Sequence, residues 1–201
     1  MIAPVQGLTR ANLAQRTVVK LRDGGWESPD VLLVDSDDGP VVVKDFSPRR
    51  QLIAMSLGRW LIGRERRALE ALSGHPSVPR LLGSIDSLAL VLEHRGGVRF
   101  TRRRPWTFTP EFDRRLRAAV VGLHELGVVH LDLRHRSNIR ADLDGRPVLI
   151  DFDSAVTFRS GSLAARWVKP LLAGFDLSCL RKFGSRDAGL RRTGSGARSI
   201  G

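Results

Sequence analysis

A chain of 201 residues that is 42% hydrophobic can bury one substantial core, divided at most between two lobes, and is too short for two large independent domains. Its 33 Lys and Arg against 21 Asp and Glu leave a formal charge of +12, carried mainly by arginine. That suits forked contacts to nucleotide phosphates, anionic lipid headgroups or RNA without separating them. The single cysteine, Cys179, excludes an intramolecular disulfide and a cysteine-built metal site and fits a reducing compartment.

The opening MIAPVQGLTR lacks a basic region followed by an apolar run, and no stretch approaches the roughly 18 apolar residues of a membrane span. The expected location is the cytoplasm, with any membrane met peripherally at its inner face. Segments 17–21, 31–34 and 41–44 are strand-like and predict an antiparallel meander, broken by the Gly24-Gly25 turn and by Asp37-Asp38-Gly39-Pro40. The spacing becomes helical over 49–73, where Gly58 and Gly63 are expected to divide two helices and Gly74 to supply a stop. Two more strands are predicted at 81–85 and 88–93 around an Asp86-Ser87 turn, after which Arg95-Gly96-Gly97 reads as a hinge.

Thr109, Pro110 and Glu111 make a helix start, and Phe112, Leu116, Ala119, Val120, Leu123 and Leu126 keep one apolar face until Gly127. A loop and a short hairpin, 138–140 with 148–150, are predicted next, joined by a turn over 142–145. Short helices at 163–168 and 171–183, separated by Pro170, complete the ordered chain. Residues 185–201, rich in Gly, Ser and Arg, are expected to form a disordered basic tail.

The chemistry gathers in VVHLDLRHRSNIRADLDGRPVLIDFD, residues 128–153. Asp132 and Asn138 fall in a loop, and Asp151 follows the apolar run Pro147-Val148-Leu149-Ile150, which should bury its strand and leave the carboxylate at the end. Two carboxylates and an amide converging there would suit Mg²⁺, which binds through one or two carboxylates together with substrate phosphates.

These residues resemble the protein-kinase superfamily, whose catalytic loop runs HRDLxxxN and whose metal-binding tripeptide is DFG. Here stand His130-Leu131-Asp132-Leu133, then Asn138, then Asp151-Phe152-Asp153. The resemblance implies that Asp132 orients or deprotonates an acceptor hydroxyl, that Asn138 and Asp151 hold the metal, and that His130 is structural. Asn138 lies one residue further from Asp132 than in the usual pattern, with Ser137 in the expected position, so the loop must bulge. Asp153 in place of glycine resembles a DFD variant and would add a carboxylate near the metal.

Lys44 closes an apolar strand as the kinase VAIK lysine does, which implies contact with the nucleotide phosphates and a glutamate partner on a helix. At about 100° per residue, Glu65 falls on the apolar face of Leu61, Ala68, Leu69 and Leu72, and Glu70 on the opposite face. A glutamate on a buried face needs a cation, so Glu65 is paired with Lys44. Glu93, His94 and Arg95 match the hinge that would meet adenine through backbone groups. Of the usual GxGxxG loop only Gly24 and Gly25 remain, in Asp23-Gly24-Gly25-Trp26-Glu27-Ser28. Taken singly, Lys44 reads equally as a solvated strand end, and His75, His94, His124 and His135 as surface or packing residues. The four tryptophans read as anchors of cores or interfaces.

The expected fold is therefore α+β and bilobal. It has a small antiparallel-sheet N-lobe over 1–97 and a truncated helical C-lobe over 98–184, with ATP and Mg²⁺ as cofactors. Only residues 152–162 separate Asp151 from the next predicted helix, too few for a long activation segment ending near APE. The resemblance is closer to compact bacterial lipopolysaccharide kinases, including the 3-deoxy-manno-octulosonic acid group, and to RIO-type atypical kinases. It implies an anionic acceptor, a glycolipid or sugar hydroxyl, with a RIO-like serine/threonine protein kinase and a nucleotide-binding pseudokinase as alternatives. Arginines at 49–50, at 64, 66 and 67, at 102–104, at 114–115 and in the tail would suit a phosphorylated glycolipid, with nucleic acid also open. The apolar stretch 52–62 would either lie on a membrane surface or pack on the sheet.

Overall fold

The computed structural model describes residues 7–25, 28–48, 52–99, 109–159 and 161–192. A short helix α1 (Leu13–Arg16) leads into β1 (Thr17–Arg22), β2 (Asp30–Ser36) and β3 (Gly39–Asp45). These are followed by helix α2 (Leu52–Ala71) and strands β4 (Leu81–Asp86) and β5 (Ala89–Glu93). The strands form one antiparallel sheet in the order β1-β2-β3-β5-β4, so the chain is α+β with the predicted meander at its start.

Period-two alternation sorts the side chains of this sheet between two cores. Val41, Val43, Ala89 and Val91 turn to one face, where Leu8 and Leu13 from the N-terminal segment cover them. Phe46, Leu90 and Leu92 turn to the other, against Ile62, Leu69 and Leu72 of α2. Lys44 pairs across the ladder with Leu90, so alternation places the lysine on the α2 face.

After a two-residue strand β6 (Val98–Arg99), helix α3 (Pro110–Glu125) begins as predicted. Thr109 Oγ1 accepts from the Phe112 amide at 3.0 Å, Pro110 occupies the first turn, and Glu111 and Asp113 lie at the positive end of the helix dipole. Phe112, Leu116, Ala119, Val120 and Leu123 are buried against the main core. At its end Gly127 adopts φ 80°, and a Cβ there would lie 2.8 Å from the Phe158 carbonyl oxygen. Then come β7 (Val128–Val129), a 3₁₀ turn at Arg136–Asn138, β8 (Ile139–Ala141), β9 (Pro147–Leu149), β10 (Val156–Thr157) and helix α4 (Leu163–Arg192). β7 pairs with β10, and β6 joins the hairpin as β6-β8-β9.

Several expectations are corrected. The described part of the 49–73 region is one helix. Gly58 is buried in it because a Cβ would come to 3.0 Å from the Phe46 side chain, so this glycine serves close packing rather than interruption. The expected start at Arg49 lies outside the described residues. Pro170 does not divide two helices but sits on an exposed stretch inside α4. That helix runs through 185–192, part of the expected disordered tail, while 193–201 lie outside the described residues. Trp60 and Trp167 are exposed, beneath the guanidinium groups of Arg64 and Arg166, and do not anchor the core. Trp26, Trp106 and the arginines at 49–50 and 102–104 also lie outside the described residues. No described helix is long and apolar enough to cross a membrane.

Candidate active site

Lys44 and Glu65 are both buried, and the Lys44 ammonium donates to Glu65 Oε1 at 2.7 Å, the pairing implied by the resemblance, with Glu65 rather than Glu70 selected by helical spacing. The same nitrogen donates to Asp151 Oδ1 at 2.5 Å, joining β3, α2 and the segment after β9 at one point. Glu65 Oε1 also accepts from the Phe152 amide at 3.2 Å, so the helix carboxylate holds the backbone next to Asp151 as well as the lysine. Burial opposes the charge on Lys44, but Asp151 and Glu65 outweigh it and raise its pKa. Burial likewise opposes ionisation of Asp151, yet Lys44 and then Arg22 hold it well below the usual carboxylate range. For Glu65 burial prevails over Lys44 and pushes its pKa up.

Asp132 and Asn138 meet lower in the fold. Asn138 Nδ2 donates to the Asp132 carbonyl at 3.0 Å and to Asp132 Oδ2 at 2.9 Å. The extra loop residue is absorbed in the 3₁₀ turn that ends at Asn138, so the longer loop still brings amide and carboxylate together. With Nδ2 committed to Asp132, the Asn138 amide oxygen accepts from Ser137 Oγ at 3.3 Å. Arg134 and His135, both exposed, approach Asp132 Oδ1 at 3.4 and 3.5 Å. Asp153 accepts from Ser154 Oγ at 3.2 Å, and burial together with Asp151 raises its pKa.

A cleft of about 230 Å³ is lined by Lys44, Asn138 and Asp151, whereas Asp132, Glu65 and Asp153 do not line it. Leu21, Val31, Val42 and Ile150 supply apolar walls, Glu93, His94 and Arg95 one end, and Lys44, Asn138 and Asp151 the other. The Glu93 carboxylate is engaged by the Arg80 amide at 3.0 Å and by Arg95 Nε at 3.2 Å, and the Glu93 amide donates to the Arg80 carbonyl at 2.9 Å. A larger surface depression of about 890 Å³, bounded by His75, Arg95, Arg115, Asp142 and Arg146, contains none of Lys44, Asn138 or Asp151. The smaller cleft is therefore the candidate. Gly24 and Gly25 do not line it. Their amides donate to Asp30 Oδ1 and Ser28 Oγ, each at 2.9 Å, and Trp26 and Glu27 lie outside the described residues.

The loop carrying Asp132 is held from beneath by a residue that sequence reasoning missed. Asp176, buried in α4, accepts from the amides of His130 at 2.8 Å and Leu131 at 2.9 Å and bonds His124 Nε2 at 3.1 Å. Leu131 has φ 64° and Asp151 φ 71°, in a left-handed region that costs a residue with a side chain of order 1–3 kcal/mol and persists only where surroundings enforce it. The two amide bonds from Asp176 are that enforcement at Leu131. His130 is fully buried, bonds the Ile150 carbonyl through Nε2 at 3.1 Å, and is pushed towards its neutral form by burial. Arg64 of α2, read from the sequence only as part of a basic cluster, also holds this region. Its Nε donates to the Ala155 carbonyl at 2.9 Å and its Nη2 to the Ser154 carbonyl at 2.5 Å, fixing the segment after Asp153.

Among the described residues no group of three or more His, Cys, Asp and Glu is arranged as a metal site. Asp151, Asp153 and the Asn138 amide oxygen, engaged here by Lys44 and Arg22, by Ser154 and by Ser137, are hard oxygen donors of the kind that suits a cation completing its shell with water and phosphate. No protein-family model matches this chain, and no curated protein matches it.

Proposed function

We propose that this chain is an ATP-dependent phosphotransferase with a compact, bilobal, protein-kinase-like fold, acting on a hydroxyl of an anionic glycolipid or sugar. The observation that carries the proposal is the Lys44 ammonium held between Glu65 and Asp151 at the polar end of an apolar-walled cleft. A structural ion pair needs no adjoining cleft, and a cleft for an apolar ligand needs no buried charge at its end. A nucleotide needs both.

At about 230 Å³ the cleft is smaller than the roughly 300–1,000 Å³ of pockets that enclose a whole ligand, so the base would be housed and the phosphates would extend towards Lys44. Asn138 and Asp151, with Asp153 adjacent, would hold Mg²⁺, which when bound neutralises phosphate charge and aligns the terminal phosphoryl group. Asp132 would orient the acceptor hydroxyl and take its proton. The oxygen–phosphorus bond to the acceptor forms while the bond to the ADP oxygen breaks. Little covalent work falls to the protein, so positioning and charge are the contributions asked of these residues.

The short 152–162 connection favours a small or lipid-borne acceptor over a peptide, which needs a longer platform. Exposed Arg134 and His135 beside Asp132 would attract an anionic one. Peripheral membrane contact is better supported at α4 than at 52–62. Leu163, Trp167, Leu171 and Phe175 recur at helical spacing and are exposed, whereas Gly58 and Ile62 are buried.

Thermal shift with ATP, with and without Mg²⁺, tests binding, and turnover by Asp132→Ala tests the chemistry. Loss of at least about 10²-fold in turnover is expected, with nucleotide binding kept. Equal turnover in wild type and variant removes the enzyme and leaves a nucleotide-binding pseudokinase. Labelled ATP incubated with lipid, sugar and protein fractions identifies the acceptor, and label confined to protein rejects the glycolipid in favour of an atypical protein kinase.

A further inference from the structure

Arg22, the last residue of β1, enters the cleft beside Lys44, Asn138 and Asp151. Its Nη1 donates to Asp151 Oδ2 at 3.1 Å. Its Nε and Nη2 are buried and have no hydrogen-bond partner among the described residues. A guanidinium is a rigid fork whose neighbouring donors match the oxygens of a carboxylate or phosphate, and leaving such donors unmet inside a protein is costly. One arm therefore rests on Asp151 while the rest of the fork has nothing opposite it.

The neighbouring turn explains why an arginine would be needed. A glycine-rich phosphate loop works by presenting free backbone amides, but the Gly24 amide is engaged by the buried Asp30 carboxylate, itself 3.2 Å from Lys20, and the Gly25 amide by Ser28. Backbone donors that already have internal partners are poor anion ligands. Arg22 stands at the end of the same strand and lines the cleft beside Lys44 and Asp151, its Nε and Nη2 unmet among the described residues.

We propose that Arg22 binds the polyphosphate of the nucleotide through its guanidinium fork, supplying the grip that the two-glycine turn does not. In the empty cleft the same side chain rests on Asp151. Entry of phosphate exchanges that carboxylate for phosphate oxygens and leaves Asp151 Oδ2 open towards a cation. This assignment rests on the phosphotransferase reading of the site.

Binding of adenosine, ADP, ATP and inorganic tripolyphosphate is measured by calorimetry for wild type, Arg22→Gln and Arg22→Lys, each checked for folding by circular dichroism. Arg22→Gln should weaken ATP and tripolyphosphate about ten- to one-hundredfold and leave adenosine unchanged, and Arg22→Lys should restore only part, because a point charge cannot replace the fork. Should the variants fail to fold, the Nε resonance of Arg22 in uniformly ¹⁵N-labelled wild type, assigned by selective arginine labelling, reads the same contact. It should shift with tripolyphosphate and not with adenosine. Unchanged or tighter ATP binding in Arg22→Gln, or a static Nε resonance, overturns the role of Arg22 while leaving the phosphotransferase reading intact. Absence of ATP binding by wild type overturns both.

Discussion

Glu65 and Asp176 are both buried carboxylates on helices, yet they are compensated in opposite ways. Glu65, at the junction of sheet and α2, faces a buried side-chain cation that it shares with Asp151. Asp176, beneath the Asp132 loop, faces two backbone amides and a histidine, none of which a ligand can draw away. The difference teaches where adjustment is built in. Charge at the cleft is balanced by side chains that can exchange partners, and charge under the loop is balanced by groups fixed in the main chain.

The widest effect should come from the exchangeable side. Lys44→Met is expected to lower turnover by about 10²–10³-fold and stability by about 3–5 kcal/mol, since Glu65 and Asp151 lose their shared counter-charge. Steady-state kinetics and urea unfolding check both. Adding Glu65→Gln should cost less than the sum of the single changes, with a coupling of about 0.5–3 kcal/mol. Strict additivity would show that the pair does not act as one.

On the fixed side, Asp176→Ala leaves two buried amides unmet and should lower stability by about 2–5 kcal/mol, with Asp176→Asn recovering part. Because Leu131 depends on those amides, kcat should fall while nucleotide affinity holds. A parallel loss of affinity would mean that the two regions are not separable.

A smaller effect is the dependence on pH. The folded pKa of Asp151 is depressed, so its contribution is complete above the unfolded value of about 4 and is lost as pH falls through the folded value. Glu65 has the opposite sign, since its folded pKa is raised and its ionisation weakens the fold as pH rises through that value. Comparing wild type with Asp151→Asn isolates the first term. The stability gap between them should narrow as pH drops from about 6 towards 2, and a constant gap would remove Asp151 from the charged cluster. The least effect is expected at Thr109→Ala, about 1 kcal/mol of stability from the lost α3 cap with turnover unchanged.

Legibility in the sequence followed how local each signal was. The meander, the capped start of α3 and the Lys44–Glu65 pair could be read because turn residues, a capping threonine and a carboxylate on an apolar face are patterns within one segment. The continuity of α2 could not, because the reason for Gly58 is Phe46, which lies on another element. Asp176 carried the same signal as Glu65, lying at helical spacing with Leu172, Cys179 and Leu180. Its partners, however, are backbone amides, which no sequence displays. Arg22 was one of many arginines, and only the approach of β1 to Asp151 distinguishes it.

Cys179 lies one helical turn beyond Asp176 on α4, 6% exposed, and is the only cysteine in the chain. Its sulfur lies in the main hydrophobic core, so alkylating reagents can reach it only if α4 lifts away from that core. The rate of that modification in native buffer therefore clocks detachment of the anchoring helix, with no engineered probe, and should rise in Asp176→Ala.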